Sequence, residues 1–315
     1  MNSNEIPFKS SLREVMSDFI CYKQMQGYTY IRSRSRLREF DTFLCKKQYS
    51  DKILAKCIID EYIASKSHLC SRTKSYAVSI IRQFSQYLNM LQPLSWICRH
   101  PVPIVNNRQY YIFSRDDINN LLEATRKSTR QNSVVSKCMY FLLGLLYTNG
   151  LRISEATKLR IGDIDFQNQT LFIRKGKFGK SRYVCLDSSV MLKLNEWLAV
   201  RRGNVADASE TALFINSRGT MLSSTSARRF FHKLLKLTEF AKNTDISPRL
   251  HSLRHTYACN CIEQWRKQGD DVNAKLPILS TAMSHVNIQA TQIYMHITLN
   301  NLQDAAERFH DFILK

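Results

Sequence analysis

The chain has 315 residues, 44% of them hydrophobic and 23% charged, and these values are typical of a globular protein with two domains. Its charge is not typical, because 46 lysines and arginines against 26 acidic residues give a net charge of +20. Such an excess of positive charge indicates a polyanionic partner, most simply nucleic acid.

The composition disfavours membrane, secreted and metal-dependent proteins. No apolar run approaches the roughly 20 residues that cross a bilayer, and residues 1–10 lack the apolar segment of a secretory signal. The nine cysteines are scattered, and their single close pair, Cys259 and Cys261, is a weak metal signal without a second pair. We therefore expect a cytoplasmic protein with reduced thiols and with no membrane segment, metal or other cofactor.

Apolar residues between Leu12 and Met90 recur at helical spacing in four groups, which predicts four helices and no strand. Two of these helices begin in residues that suit DNA phosphates and base edges. An ordinary solvated helix face is the competing interpretation for each of them. The candidates for DNA contact are Arg32, Arg34 and Arg36 on the second helix and Ser71, Thr73 and Lys74 on the fourth.

The helical pattern breaks in a polar stretch that contains Pro93, Pro101 and Pro103. Prolines and polar residues between two patterned regions are typical of an interdomain linker. We therefore place a helical DNA-binding domain at residues 1–97, a linker at 98–111 and a second domain at 112–315.

The second domain opens with a helix capped by Ser114, and a strongly apolar helix follows and ends at Asn149–Gly150. Arg152 comes directly after this helix, with apolar residues on both sides. An arginine in such a setting is costly unless it meets an anion. Arg152 is therefore a candidate anion-binding residue.

Residues 170–186 predict a β-hairpin, because apolar residues alternate on both arms around the turn Gly176–Lys180. A lysine on such a turn is ordinarily solvated, but Lys177 would lie beside a phosphate site if the hairpin folds over the arginines. For the basic helix that follows, a solvated face is nearly as good an interpretation as DNA contact. The further candidates for DNA contact are Arg182 on the hairpin and Arg228, Arg229 and Lys233 on the helix.

The stretch Pro248–Ala258 brings a cation and an imidazole together. His251 and Arg254 are three residues apart and share a helical face. The pair suits a phosphodiester, which needs charge neutralisation and proton transfer, although a solvated basic helix end would look the same. For Tyr294, further along the chain, a half-buried core position is the default interpretation.

Three boxes in this order resemble those of the tyrosine recombinase (phage integrase) family. They are Gly150–Glu155, Leu250–Thr256, and Ser284–His285 with Tyr294. The resemblance implies a mainly α fold with a small antiparallel β-sheet. It also implies an N-terminal helical core-binding domain followed by an α+β catalytic domain.

The resemblance implies that Tyr294 attacks the scissile phosphate and forms a 3′-phosphotyrosine and a free 5′-hydroxyl. Arg152 and Arg254 would hold the non-bridging oxygens, and no metal or ATP would be needed. The remaining implied roles are a hydrogen-bond donor for His285, a proton acceptor or orienter for His251, and the general acid for Lys177.

The sequence departs from the family pattern at three places, and none of them removes a reactive group. Ser284 stands where the family often has glycine, and a polar insert, Arg266–Lys275, lengthens the segment before His285. The turn reads Gly-Lys-Phe-Gly-Lys, so the general acid is assigned to Lys177, which directly follows the first glycine, rather than to Lys180.

The favoured function is site-specific DNA recombination by an integrase or a mobile-element transposase. A type IB topoisomerase shares the phosphotyrosine chemistry, and a non-catalytic DNA-binding regulator would need no nucleophilic tyrosine. We expect double-stranded DNA as partner, a homotetramer on two duplexes and a location on the bacterial nucleoid during action. A terminal helix is predicted from an apolar stripe formed by Leu299, Leu302, Ala306, Phe309 and Ile313. The sequence alone favours packing of this helix on its own domain, and the resemblance favours its exchange between subunits.

Overall fold

The computed structural model describes residues 8–101, 109–128, 133–174, 176, 179–204, 210–285 and 287–297. The chain divides into two compact units, Met1–Arg108 and Gln109–Lys315, and the division falls within the predicted linker segment. The described parts are mostly helical with one small antiparallel sheet, so the predicted fold class is confirmed. Among the described residues, no helix combines the length and the apolar composition that a membrane span needs.

The first unit is built from the four helices that the apolar periodicity predicts. Their apolar faces meet in one core, in which the side chains of Phe19, Phe40 and Phe84 are fully buried. The helices are α1 (Arg13–Met25), α2 (Ile31–Lys46), α3 (Lys56–Ala64) and α4 (Ser71–Leu91).

The described part of the second unit contains the helices α5 (Arg115–Lys127), α6 (Val134–Asn149), α7 (Ile153–Ala156), α8 (Ser188–Arg202), α9 (Ser224–Leu235), α10 (Leu250–Lys267) and α11 (Val272–Ala282). Helix α6 is apolar on nearly all sides and therefore has to be surrounded by other elements. Helices α5, α8 and α10 pack against it. Residues 289–297 are also helical.

The sheet of the second unit has three antiparallel strands in the order β1 (Ile164–Asp165), β2 (Thr170–Ile173) and β3 (Arg182–Cys185). Strands β2 and β3 form the predicted hairpin, with Ile173 opposite Arg182. Strand β1 was not predicted, because two residues are too few to show the alternation by which a strand is recognised.

Two helix ends follow the predicted local chemistry and position the site. The Ser114 hydroxyl accepts a hydrogen bond from the Asp117 N–H, and the Asp117 carboxylate accepts one from the Ser114 N–H. Gly150 ends α6 with a φ of 59°, a left-handed conformation that favours glycine. The chain therefore turns sharply just before Arg152.

Candidate active site

Arg152 lies in the junction between α6 and α7 and is held by hydrogen bonds on two sides. Its backbone N–H donates to Oε2 of Glu155 (3.1 Å), and its Nη1 donates to Oε1 of the same carboxylate (2.7 Å). Its Nη2 donates to the carbonyl of Ser284 (2.8 Å). The guanidinium is thus fixed before any ligand arrives.

Arg254 lies on α10 and is buried, with 1% of the residue exposed. Its Nη1 donates to the carbonyl of Gly150 (2.6 Å), and its Nη2 donates to the carbonyl of Met283. Burial and the nearby charge of Arg152 lower the pKa of Arg254 to about 10, so the group stays protonated at neutral pH.

The C-terminal end of α11 is held by three guanidinium groups. They bind the backbone carbonyls of residues 282–284, which directly precede His285. Ser284, with a φ of 52°, makes the turn before His285. A helix end leaves carbonyl groups without intrahelical partners, and arginine donors satisfy them here. The acceptors are the carbonyls of Ala282, Met283 and Ser284, and their donors are Arg182, Arg254 and Arg152 in the same order.

Glu155 is a buried carboxylate that joins two of these arginines. It accepts hydrogen bonds from Nη1 of Arg152 (2.7 Å) and from Nη2 of Arg182 (3.0 Å). Burial alone would raise the pKa of this carboxyl, but the two arginines outweigh burial and lower it. Three guanidinium groups against one carboxylate leave an excess of positive charge, which suits an anion.

His251 lies on α10, one helical turn before Arg254. The residue is exposed to solvent on one side, but desolvation on the other side and the charges of Arg254, Arg152 and Arg228 lower its pKa to about 4. The imidazole is therefore neutral at physiological pH and able to accept a proton.

Tyr294 is buried, with 3% of the residue exposed, and its hydroxyl lies 3.0 Å from Nδ1 of His255. Burial raises the pKa of Tyr294 to about 12, although the charge of Arg254 acts in the opposite direction. The phenol is therefore protonated at neutral pH and needs a proton acceptor before it can react. The His255 ring also contacts the His251 ring, with 4.7 Å between centroids.

His285 lies beside the tyrosine. Its ring stacks on that of Tyr294, with a centroid separation of 6.2 Å and an angle of 18° between the planes. Its Nδ1 is 2.7 Å from the hydroxyl of Thr291, a buried residue that fixes the orientation of the imidazole. The third box therefore brings His285 and Tyr294 together.

Lys177, the predicted general acid, lies outside the described residues. The ends of its turn are described: the N–H of Gly176 donates to the carbonyl of Lys180 (2.8 Å), which closes the hairpin. Lys180 itself is exposed. The assignment of the general acid to Lys177 stays a prediction.

The predicted DNA contacts of the first unit lie at two neighbouring helix starts. The hydroxyls of Ser33 on α2 and Tyr76 on α4 are 3.0 Å apart, so the first turn of α2 lies beside the second turn of α4. Among the predicted contacts on α2 and α4, Arg32 and Ser71 are exposed, and Arg34, Arg36, Thr73 and Lys74 are partly buried. One of them, Arg36, is paired with Glu39 at 2.6 Å.

The predicted DNA contacts of the second unit lie in two different settings. Arg228, Arg229 and Lys233 are exposed on α9, and the charge of Arg228 reaches His251. Arg182, by contrast, is only 11% exposed in its side chain and points at Glu155. Whether any of these residues touches DNA stays a prediction.

The arrangement can bind a phosphodiester and supply both a nucleophile and proton acceptors. Preorganised buried guanidinium groups stabilise charge far better than solvent does. Within the ranges that the structure describes, no cluster of histidine, cysteine and acidic side chains could hold a metal ion.

Sequence reasoning gave no role to Glu155 or His255 and placed Arg182 on a DNA-facing surface. A signal for Glu155 was present, because a glutamate three residues after a helix cap commonly bonds back to the cap. No comparable signal exists for His255, whose contact with Tyr294 joins residues 39 positions apart.

The sequence matches a protein family and several known proteins. The model of the phage integrase family matches residues 112–301, which is more than half of the chain. The protein y4rB of Sinorhizobium fredii, named as an integrase/recombinase, is 34% identical over 312 residues, covering 95% of this chain and 97% of its own. Tyrosine recombinase XerC of Halalkalibacterium halodurans is 25% identical over 313 residues, covering 94% and 96%.

A solved structure shares the fold. The Tn1549 transposon integrase in complex with circular intermediate DNA superposes with a TM-score of 0.67 at 16% identity, covering 91% of this chain and 95% of its own. The chain therefore belongs to the phage integrase family, and it is a site-specific recombinase of the tyrosine type.

Proposed function

We propose that the protein cuts and rejoins double-stranded DNA through a 3′-phosphotyrosine intermediate on Tyr294, without a metal ion or ATP. The observation that carries this proposal is the convergence of Arg152 and Arg254 on the segment that leads into His285. A covalent intermediate stores the energy of the broken phosphodiester, so rejoining needs no other source of energy.

The roles of the side chains follow from their charges and contacts. Arg152 and Arg254 hold the non-bridging oxygens of the scissile phosphate and stabilise the charge of the transition state. His285 donates a further hydrogen bond. His251 is neutral and serves as proton acceptor or orienter, and His255 contacts both its ring and the tyrosine hydroxyl.

Lys177 is the general acid in this proposal and protonates the leaving 5′-oxygen. Its support is the order of the family boxes, in which the hairpin lies between the two arginines. The hairpin also approaches the cluster, since Arg182 at the start of β3 binds Glu155.

The nucleophile is tested with Tyr294→Phe, which keeps the ring and loses only the hydroxyl. On a duplex nicked close to the cleavage site, so that cleavage cannot be reversed, the wild type should form a covalent adduct visible on a denaturing gel. The variant should bind the same duplex normally and form none. An adduct that persists in Tyr294→Phe excludes Tyr294 as the nucleophile, and no adduct in either protein favours a non-catalytic regulator.

The proposed substrate is the DNA of a mobile element, which the protein binds on the bacterial nucleoid. Support comes from the net charge of +20 and from Tn1549 integrase, whose solved complex contains circular intermediate DNA. Neutralising many phosphates makes affinity fall steeply with salt. A fragment that begins at residue 106 should therefore bind more weakly and with a shallower salt dependence than the full chain, and unchanged affinity would remove α2 and α4 from the DNA interface.

The proposed assembly is a homotetramer on two duplexes. The terminal helix, predicted over a stripe that includes Leu299 and Ile313, lies outside the described residues, and its exchange between subunits is part of this proposal. Truncation after Thr298 keeps Tyr294 and should spare binding to one site while abolishing synapsis on a native gel. A truncated protein that still joins two duplexes shows that the helix packs in cis.

A further inference from the structure

Arg182, at the start of β3, bonds to two parts of the candidate active site. Its Nε donates to the carbonyl of Ala282 (2.8 Å), and its Nη2 donates to Oε2 of Glu155 (3.0 Å). The side chain is only 11% exposed. It therefore joins the hairpin to the end of α11 and to the helix start that carries Arg152.

The hydrogen bond to Glu155 connects Arg182 to Arg152, which holds the scissile phosphate in the proposed function. Oε2 of Glu155 also accepts the backbone N–H of Arg152 (3.1 Å), and Oε1 accepts its Nη1 (2.7 Å). Removing the Arg182 guanidinium would leave this buried carboxylate with one cation instead of two. The carboxylate would then be free to shift, and the Arg152 guanidinium would shift with it.

The bond to Ala282 connects Arg182 to the third box. Ala282 is the last residue of α11, and its carbonyl is the first of the three that arginines bind in this segment. Two residues later the chain turns at Ser284 and continues into His285. The hydrogen bond from Arg182 therefore helps to fix the backbone that leads into His285.

The third nitrogen of Arg182 argues against a purely structural role. Nη1 is buried and has no hydrogen-bond partner among the residues that the structure describes. It lies 3.5 Å from the place that a β-carbon on Gly176 would take, directly beside the turn. An unpaired buried donor lowers stability, so stability alone does not explain an arginine at this position.

We propose that Arg182 is a positioning residue of the recombination site, which orients Arg152 through Glu155 and fixes the approach to His285 through the carbonyl of Ala282. This role rests on the proposed function and differs from the direct DNA contact that the sequence suggested. It requires both bonds at once, and the fork of a guanidinium reaches two acceptors that a single ammonium group does not.

The first test measures cleavage and binding separately. Arg182→Gln should lower the single-turnover rate of adduct formation at saturating nicked duplex by about 10–100-fold, with the Kd for DNA changed less than about threefold. Arg182→Lys should recover little of the rate, because one ammonium group cannot bridge Glu155 and Ala282. A loss confined to Kd overturns the proposal and makes Arg182 a DNA contact.

The matched control is Arg201, another buried arginine of the same unit. It donates to the carbonyl of Ala212 (3.0 Å) and to the hydroxyl of Thr211 (2.9 Å). Arg201→Lys should lower the melting temperature and leave the cleavage rate per folded molecule unchanged. If Arg182→Gln behaves in the same way as this control, its role is structural and the proposal is wrong.

A double-mutant cycle tests whether Arg182 acts through Arg152. The double variant Arg152→Ala/Arg182→Gln should cleave more slowly than Arg152→Ala alone but by clearly less than the product of the two separate losses, because the part of the Arg182 effect that acts through Arg152 is already gone and the part that acts through Ala282 remains. Multiplied losses show an independent contact and overturn the proposal. If Arg182→Gln does not fold, Glu155→Gln replaces it in the cycle and should show the same dependence on Arg152.

Adduct formation by the wild type distinguishes failure of this proposal from failure of the proposed function on which it rests. A wild-type adduct that depends on Tyr294, together with multiplied losses in the cycle, refutes only the role of Arg182. Absence of any wild-type adduct on duplexes that the protein binds refutes the proposed function and the positioning role together.

Discussion

The backbone at Gly150 supports Arg254, and Gly150→Ala should disturb both stability and cleavage. A β-carbon at this position would lie 2.3 Å from Cδ1 of Tyr257, and φ is +59°. The left-handed conformation costs an alanine about 1–2 kcal/mol, and overpacking against the partly buried ring of Tyr257 adds about 1–3 kcal/mol. We expect a loss of about 2–5 kcal/mol in the free energy of unfolding. At about 2–4 °C per kcal/mol for a domain of this size, the melting temperature falls by at least about 4 °C.

Gly269→Ala is the matched control, because Gly269 has a φ of +74° and no atom within 4 Å of an added β-carbon. It should cost only the left-handed strain, about 1–2 kcal/mol, with no loss of cleavage. In Gly150→Ala, cleavage should also fall, since the displaced carbonyl is the acceptor for Nη1 of Arg254. Thermal denaturation and adduct formation measure the two effects. Equal destabilisation by the two substitutions, with cleavage intact, would exclude both the clash with Tyr257 and the role of the Gly150 carbonyl in holding Arg254.

Three further predictions concern the chemistry. Arg152→Ala and Arg254→Ala should each slow cleavage by about 10²–10³-fold while weakening DNA binding far less; equal losses would make them general phosphate anchors. Lys177→Ala should be rescued on a substrate with a 5′-bridging sulfur, which leaves without protonation, whereas rescue of Lys180→Ala instead would move the general acid. In the DNA-free protein the pKa of His251 should be about 4 by NMR titration, so stability falls as pH drops from the unfolded value of 6.5 towards 4; a midpoint near 6.5 would contradict the effect of desolvation and of the neighbouring arginines on the ring.

The elements that sequence predicted well are those whose determinants are local. The four helices of the first unit follow from apolar periodicity, and the ends of α5 and α6 follow from Ser114 and from Asn149–Gly150. The residue types and spacing of the boxes in the second unit also marked Arg152 and Arg254 as candidates, and the structure brings both guanidinium groups to the segment before His285. Their catalytic roles stay predictions.

The contacts that sequence missed join residues far apart in the chain. Arg182 and Glu155 are 27 positions apart, and alternation along a strand does not distinguish an arginine that faces solvent from one that faces a buried carboxylate. The contact of His255 with Tyr294 depends in the same way on how α10 packs against the final described helix. Such pairings are fixed by tertiary packing, which local pattern does not encode.

The most direct test of the central claim identifies the atom that carries the DNA. Protein trapped on a nicked duplex is digested with protease and nuclease, and the modified peptide is sequenced by mass spectrometry. We expect one modified peptide, with a nucleotide attached through its 3′-phosphate to the phenolic oxygen of Tyr294. Attachment to another residue, or through a 5′-phosphate, would contradict this expectation.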